Sequence, residues 1–170
     1  AEMSQKFLDL AKLLNISFSD FIRTTDETRH WPVVQDLWQR CAKAGDIVKR
    51  KYGGLYCVGC EAFKKEEDLV EGLCPDHQKK PVWQEEENYF FLLSKYQKFL
   101  QDYFKKQKDF VVPESRREEM VALLERGLED ISISRLKENL PWGVPVPGDE
   151  TQVMYVWFDA LTNYISAVTD

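Results

Sequence analysis

The sequence predicts an α/β fold in which a partial parallel sheet is interrupted by an inserted knuckle and a helical segment. Three observations carry that expectation. Near the end, Gln152-Val153-Met154-Tyr155-Val156-Trp157-Phe158-Asp159 is nearly all apolar or aromatic, which reads as a strand buried on both faces. The residues that follow change period: Leu161, Tyr164, Ile165 and Val168 fall on one stripe at helical spacing. Between an earlier amphipathic helix and this βα unit, from Lys51 to Val82, periodicity gives way to glycine, cysteine and charge.

Each element follows from its local pattern. Met3, Phe7, Leu10, Ala11 and Leu14 share one face of a helix that opens the chain. Phe18 to Thr25 predicts a short strand, and Thr24-Thr25-Asp26 offers capping oxygens to the helix marked by Val34, Leu37, Trp38 and Cys41. Cys41, on that apolar stripe, reads as a small buried hydrophobe, and Ala44-Gly45-Asp46 stops the helix. Tyr89, Leu92, Leu93, Tyr96, Phe99, Leu100 and Tyr103 predict a long helix, with Glu85-Glu86-Glu87 at its positive end. Lys95, Lys98, Lys105, Lys106 and Lys108 gather at the other end, either as a solvated face or as phosphate contacts. Val112-Pro113 breaks the pattern before a further helix carrying Met120, Val121, Leu124 and Leu128. Ile131-Ser132-Ile133-Ser134 alternates as a strand ending at Arg135, and the proline-rich loop from Pro141 to Gly148 leads into the last strand.

Composition narrows the function classes. With 170 residues and a 44% hydrophobic share the chain can build a core, and a net charge of -6 argues against broad electrostatic attraction to nucleic acid. No apolar run reaches membrane-spanning length and the start lacks a signal-peptide pattern. Four cysteines, two of them a close pair, fit a reducing compartment, cytoplasm or organelle matrix, better than a disulfide framework.

The aperiodic segment cannot order itself by burial, and its ligands offer the alternative. Cys57-x2-Cys60 and Cys74-x2-His77 are two matched turns, each able to present two donors to one tetrahedral ion. Gly59 lies within the first turn, and Gly72 and Pro75 flank or stiffen the second. This pattern points to structural zinc rather than to a redox pair, which needs no second turn. A shell of four protein ligands leaves no open position, so the ion would hold the segment together without performing catalysis.

The strand-to-helix corner brings together Trp157, Ala160, Leu161 and Tyr164. In open α/β sheets such corners are where ligands bind, because helix N–H groups and a crevice meet there; the bland alternative is an ordinary βα unit whose aromatics are core.

Six blocks then stand in order: Phe21-Ile22-Arg23-Thr24-Thr25-Asp26, Tyr56-Cys57-x2-Cys60-Glu61, Glu87-Asn88-Tyr89-Phe90-Phe91, Asp130-Ile131-Ser132-Ile133-Ser134-Arg135, Trp142-Gly143-Val144-Pro145-Val146-Pro147 and Tyr155-Val156-Trp157-Phe158-Asp159-Ala160-Leu161. Together they resemble the methionyl-tRNA synthetase family, in its single-knuckle branch, over essentially the whole chain. The resemblance implies a partial Rossmann-like catalytic domain at 1–29 and 131–170, around a connective insert at 30–130 with its zinc knuckle at about 51–82. It implies a ligase that activates methionine with ATP and Mg2+ to methionyl-adenylate and passes the methionyl group to tRNA. Arg135 would be the cation near the reacting carboxylate and phosphate, and Trp157, Ala160, Leu161 and Tyr164 the methionine pocket; another branch of the family has proline at the position of Leu161. A structural salt bridge is the alternative for Arg135. The family's HIGH and KMSKS elements are absent, so the chain is expected to be a fragment that is inactive without the rest of the catalytic and anticodon-binding domains. A noncatalytic zinc-knuckle module that grips RNA or protein is the reading from another class, with Trp157 and Tyr164 as core.

Overall fold

A computed structural model describes residues 2–60 and 62–169. Ala1, Glu61 and Asp170 lie outside the described residues, Glu61 being one position on which the family resemblance draws. Five α-helices and seven strands follow in the order α1 (Glu2–Leu13), α2 (His30–Lys43), β1 (Ile47–Cys57), β2 (Ala62–Lys64), β3 (Val82–Phe91), α3 (Gln97–Lys106), α4 (Glu114–Arg126), β4 (Ile131–Ser132), β5 (Ser134–Leu136), β6 (Pro145–Val146), β7 (Asp149–Met154) and α5 (Val156–Ser166).

The dominant element is a ribbon. β1 and β3 pair antiparallel from Ile47 opposite Phe91 to Tyr56 opposite Val82, with β2 and β4 on its two edges. Ordered structure therefore continues past Lys51, and Glu85-Glu86-Glu87 lies in a strand rather than at a helix start. The reason is a period of two written in polar residues. Glu86, Asn88 and Phe90 turn inward, and the Glu86 carboxylate accepts from Gln84 Nε2 (2.5 Å), Asn88 Nδ2 (2.9 Å) and Asn139 Nδ2 (2.9 Å). Only from Gln97 does the predicted helix form, and it packs on α4 through Gln97, whose Oε1 accepts from Leu128 N at 2.7 Å.

The second sheet, in the order β5-β7-β6, is joined to the first through Ile133. That residue separates β4 from β5, is 1% exposed, and bonds both ways: its N–H to Tyr89 O and its carbonyl to Tyr155 N, each at 2.8 Å. The expected strand 131–135 thus exists but changes sheet midway. Every strand pair among the described residues is antiparallel, in place of the expected parallel pairing. For β6 and β7 the tight turn Pro147-Gly148, with Gly148 at φ 80, dictates this, whereas parallel neighbours need a long crossover. Val34, Trp38, Ile133, Val144, Val146 and Met154 form the buried core, and Trp38 meets Tyr89 and Phe158 edge-on at 5.4 and 5.2 Å.

Three further expectations are corrected. Phe18 to Thr25 is irregular rather than a strand. It has no ladder partner among the described residues, and the Thr24 carbonyl accepts instead from the Trp31 indole at 3.0 Å. The predicted capping role of Asp26 holds one turn early, where Oδ1 accepts from the backbone of Thr28 and Arg29 at 3.0 Å. Cys41 is half-buried. The last strand ends at Met154, so Trp157, Phe158 and Asp159 belong to the first turn of α5; Gln152, Val153 and Met154 are the residues buried on both faces. The ladder stops there because Tyr155 O turns to accept the helical N–H of Phe158 and Asp159.

Asp149 ties the two sheets at the head of β7. Its carboxylate accepts from Lys49 Nζ (2.8 Å) on β1, the Tyr89 hydroxyl (3.0 Å) on β3, and Thr151 N and Oγ1 (3.1 and 2.5 Å). The Lys49 bond above all, then Thr151, holds this carboxyl well below the usual carboxylate range. A depressed folded value means that the stabilisation is complete above the unfolded pKa of about 3.9 and is lost as pH falls below it. Asp149→Ala is expected to cost about 1.5–3 kcal/mol in urea unfolding at neutral pH, with the gap to native narrowing in acid below about pH 4. A gap that stays constant through the acid range contradicts this role.

Candidate functional site

The knuckle crowns the ribbon. Cys57 ends β1, Cys60 follows one turn later, and the loop bearing Cys74 and His77 folds back so that all four ligand atoms lie within 4.8 Å of one another. Sγ of Cys60 is 3.5 Å from Sγ of Cys74 and 3.2 Å from Nδ1 of His77; Nδ1 is 3.9 and 4.0 Å from Sγ of Cys57 and Cys74. A tetrahedral ion with bonds of about 2.0–2.3 Å spaces its ligands by roughly 3.3–3.8 Å, close to these separations. Backbone N–H of Cys60 draws the Cys57 thiol down, while desolvation and the neighbouring thiols push Cys60 up to about 12. Three thiolates packed this closely need a cation among them, and the donor set fits one. Gly59 is required for the turn, because a Cβ there would collide with the His77 ring.

The second constellation is the corner between β5, β7 and α5. Arg135, 7% exposed, donates Nη1 to Ser132 Oγ (2.7 Å) and Ser134 O (2.8 Å) and stacks its guanidinium 3.9 Å over the Tyr155 ring. Its Nε has no partner, and it pairs with no carboxylate among the described residues. The salt-bridge alternative for Arg135 therefore finds no support. Arg135 opens onto a cleft of about 350 Å³ that it shares with Arg50, Tyr52, Tyr155 and Trp157, and onto another of about 290 Å³ toward the knuckle.

The four predicted pocket residues sit on α5 but not all in one cavity. Trp157 joins Arg135 in the first cleft and, with Leu161, lines an apolar groove of about 480 Å³ against Leu37, Phe91 and Ile133. Ala160 is half-buried, and Tyr164 is 80% exposed. The stripe Leu161, Tyr164, Ile165 and Val168 thus faces outward, and the buried side of α5 is polar: Thr162 and Ser166 are about fully buried and Asp159 reaches the buried ring of His30. Burial pushes the Asp159 carboxyl up against the pull of that ring. Sequence reasoning missed His30 because a lone histidine at a helix start has no spacing partner. Arg50 and Tyr52 were missed because their strand, rich in lysine and glycine, shows no apolar alternation.

A family model described as tRNA synthetases class I (M) matches residues 1–80 and 76–170. The chain belongs to this family. Among the class I (M) synthetases similar to it, the methionine–tRNA ligase of Nostoc sp. is 47% identical over 99% of this chain and 32% of its own length. The chloroplastic/mitochondrial methionine–tRNA ligase of Arabidopsis thaliana is 47% identical over 99% of this chain and 27% of its own. Crystallographic Mycobacterium tuberculosis methionyl-tRNA synthetase bound by methionyl-adenylate superposes with a TM-score of 0.82 at 43% identity, covering 94% of this chain and 32% of that one. The chain spans about a third of the length of these synthetases. The fold is therefore the mixed α/β, Rossmann-like arrangement of a class I synthetase fragment.

The folded protein is expected to carry one metal equivalent by elemental analysis. Cys74→Ala is expected to lose nearly all of it, since metal binding in such modules is coupled to folding by roughly 10–16 kcal/mol. Full metal retention by Cys74→Ala contradicts the ligand set.

Proposed function

We propose that this chain is the part of a methionine–tRNA ligase in which activation of the amino acid is read and the charge of the reaction is met. The observation that carries the proposal is Arg135: a buried guanidinium without an anionic partner, opening onto a cleft edged by Trp157. Burying a cation is costly unless an anion joins it, so such a group is matched to a negatively charged ligand. The likeness to a synthetase bound by methionyl-adenylate supplies the chemistry.

In that chemistry the methionine carboxylate attacks the α-phosphate of ATP, pyrophosphate leaves, and the terminal adenosine hydroxyl of tRNA then displaces AMP from the methionyl carbonyl. Mg2+ would accompany ATP. Arg135 stabilises the charge that develops on the carboxylate and phosphate oxygens, fixed in advance by Ser132, Ser134 and Tyr155 so that it need not reorganise. Trp157, Ala160, Leu161 and Tyr164 form the wall for the thioether side chain, for which aromatic edges and soft sulfur are suited. Cys57, Cys60, Cys74 and His77 hold zinc as a structural ion, distant in role from the chemistry. Because α2 packs on α5, we draw the inserted part from Ile47 to Asp130 in place of the expected 30–130, and give residues 1–46 and 131–170 to the catalytic domain. A cytoplasmic or organelle-matrix location accords with three free thiols at the knuckle. No helix among the described residues is long and apolar enough to cross a membrane.

The division of roles is open to test in the full-length protein by stopped-flow adenylate formation. Trp157→Ala is expected to weaken methionine binding by about tenfold or more, the scale of a lost apolar contact of 1–3 kcal/mol. Arg135→Ala is expected to slow activation by roughly 100-fold, well beyond its effect on methionine affinity. Unchanged affinity in the first, or an unchanged rate in the second, contradicts the role given to that residue.

A further inference from the structure

Helix α5 docks on α2 through Phe158, which packs on Trp38, and through a row of polar side chains. Trp157, Leu161, Tyr164 and Ile165 stand exposed, while its inward side carries Asp159, Thr162 and Ser166. Its buried polar side chains are therefore the groups that can fix its rotation on α2.

His30 is placed to do this. It is 0% exposed at the first turn of α2, with Nε2 2.5 Å from Asp159 Oδ1 and Nδ1 2.7 Å from Ser166 Oγ. A carboxylate only accepts, so the ring donates from Nε2 to Asp159. The other ring nitrogen, Nδ1, then accepts from the Ser166 hydroxyl at 2.7 Å, and Ser166 Oγ also lies 3.2 Å from Asn163 O. Asp159 and Ser166 are two helical turns apart on one face, so a single ring grips α5 at two heights and fixes its rotation as well as its distance. Asp159 stands between Phe158, which packs on Trp38 at 5.2 Å, and Ala160 of the proposed pocket wall.

We propose that His30 is a positioning residue for amino-acid recognition. By holding Asp159 and Ser166 it sets the rotation of α5, and with it the wall of Trp157, Ala160, Leu161 and Tyr164 that meets the side chain of methionine. The role rests on the reading of α5 as that wall. His30 itself touches no substrate.

The test is steady-state methionine-dependent pyrophosphate exchange by the full-length, metal-loaded protein. His30→Ala is expected to raise the KM for methionine about tenfold or more, as for loss of a charge-assisted bond, while the KM for ATP stays within about twofold. At saturating methionine, kcat is expected to fall by less than about threefold; a loss of folded protein would instead lower kcat and leave KM alone. His30→Gln, whose amide can still reach Asp159, and Ser166→Ala, which removes the Nδ1 bond and leaves that to Asp159, are expected to fall between native and His30→Ala. Ser166→Ala is a small change that keeps the test available if His30→Ala does not fold. A methionine KM within about twofold of native in folded His30→Ala and in Ser166→Ala overturns the proposal when Trp157→Ala raises that KM in the same assay. If Trp157→Ala leaves it unchanged too, the wall reading of α5 fails, and the positioning role with it.

Discussion

The antiparallel ladder between β1 and β3 is the constraint on which the remaining structure depends. At one end Ile47 and Phe91 pack against the core beside Val34 and Trp38; at the other, Tyr56 pairs with Val82 directly below the first cysteine turn. The far half of this ribbon has little to bury. Trp83 is 70% exposed and Val82 53%, and Gly53-Gly54 occupies the strand opposite Glu85 and Gln84. Only the three-residue β2 widens this half, and a narrow, exposed sheet of this kind is marginal by itself. The core orders it at the base, and at the tip Cys57, Cys60, Cys74 and His77 close the loop between the strands in a cluster that could hold a metal ion.

The base of the ribbon also builds the site. Tyr89 N donates to Ser134 Oγ, whose hydroxyl donates to Gln152 Oε1, and Gln152 Nε2 reaches back to Glu87 O, all within 2.7–2.8 Å. This polar seam sets the strand carrying Arg135 against β3, and Ile133 fixes the point at which that strand leaves one sheet for the other. A cation can then be buried without a carboxylate because two neutral acceptors and a ring face satisfy most of it. The polar clamp of His30 does the corresponding work for α5. Both devices spend buried hydrogen bonds on holding side chains where packing alone would not leave them, which is the signature of preorganised sites.

How much was legible depended on whether a segment was organised by apolar burial. The helix of Val34 and Trp38, the clustering of Cys57, Cys60, Cys74 and His77 and the order of elements after Val112 were readable, because apolar spacing or cysteine and histidine spacing is local. The ribbon was not. Its inward residues Glu86 and Asn88 are polar, the Glu86 carboxylate accepting from Gln84, Asn88 and Asn139, and no pattern of hydrophobicity records a partner fifty residues away. The stripe on α5 misled in the opposite sense: Leu161, Tyr164 and Ile165 have helical spacing, yet the side that docks is Thr162 and Ser166. Arg135 was singled out through a resemblance of motifs, and only geometry shows that it pairs with no carboxylate among the described residues.

The dependence of the ribbon on both ends is tested most directly by native-state amide hydrogen exchange of the metal-loaded protein and of the same protein after chelation. Amides near the knuckle, at Leu55, Tyr56 and Gln84, are expected to lose their protection without metal, while Val48, Phe90 and Ile133 at the base keep theirs. Loss of protection at both ends together, or none at the tip, would contradict an ordering of the ribbon by core and metal separately.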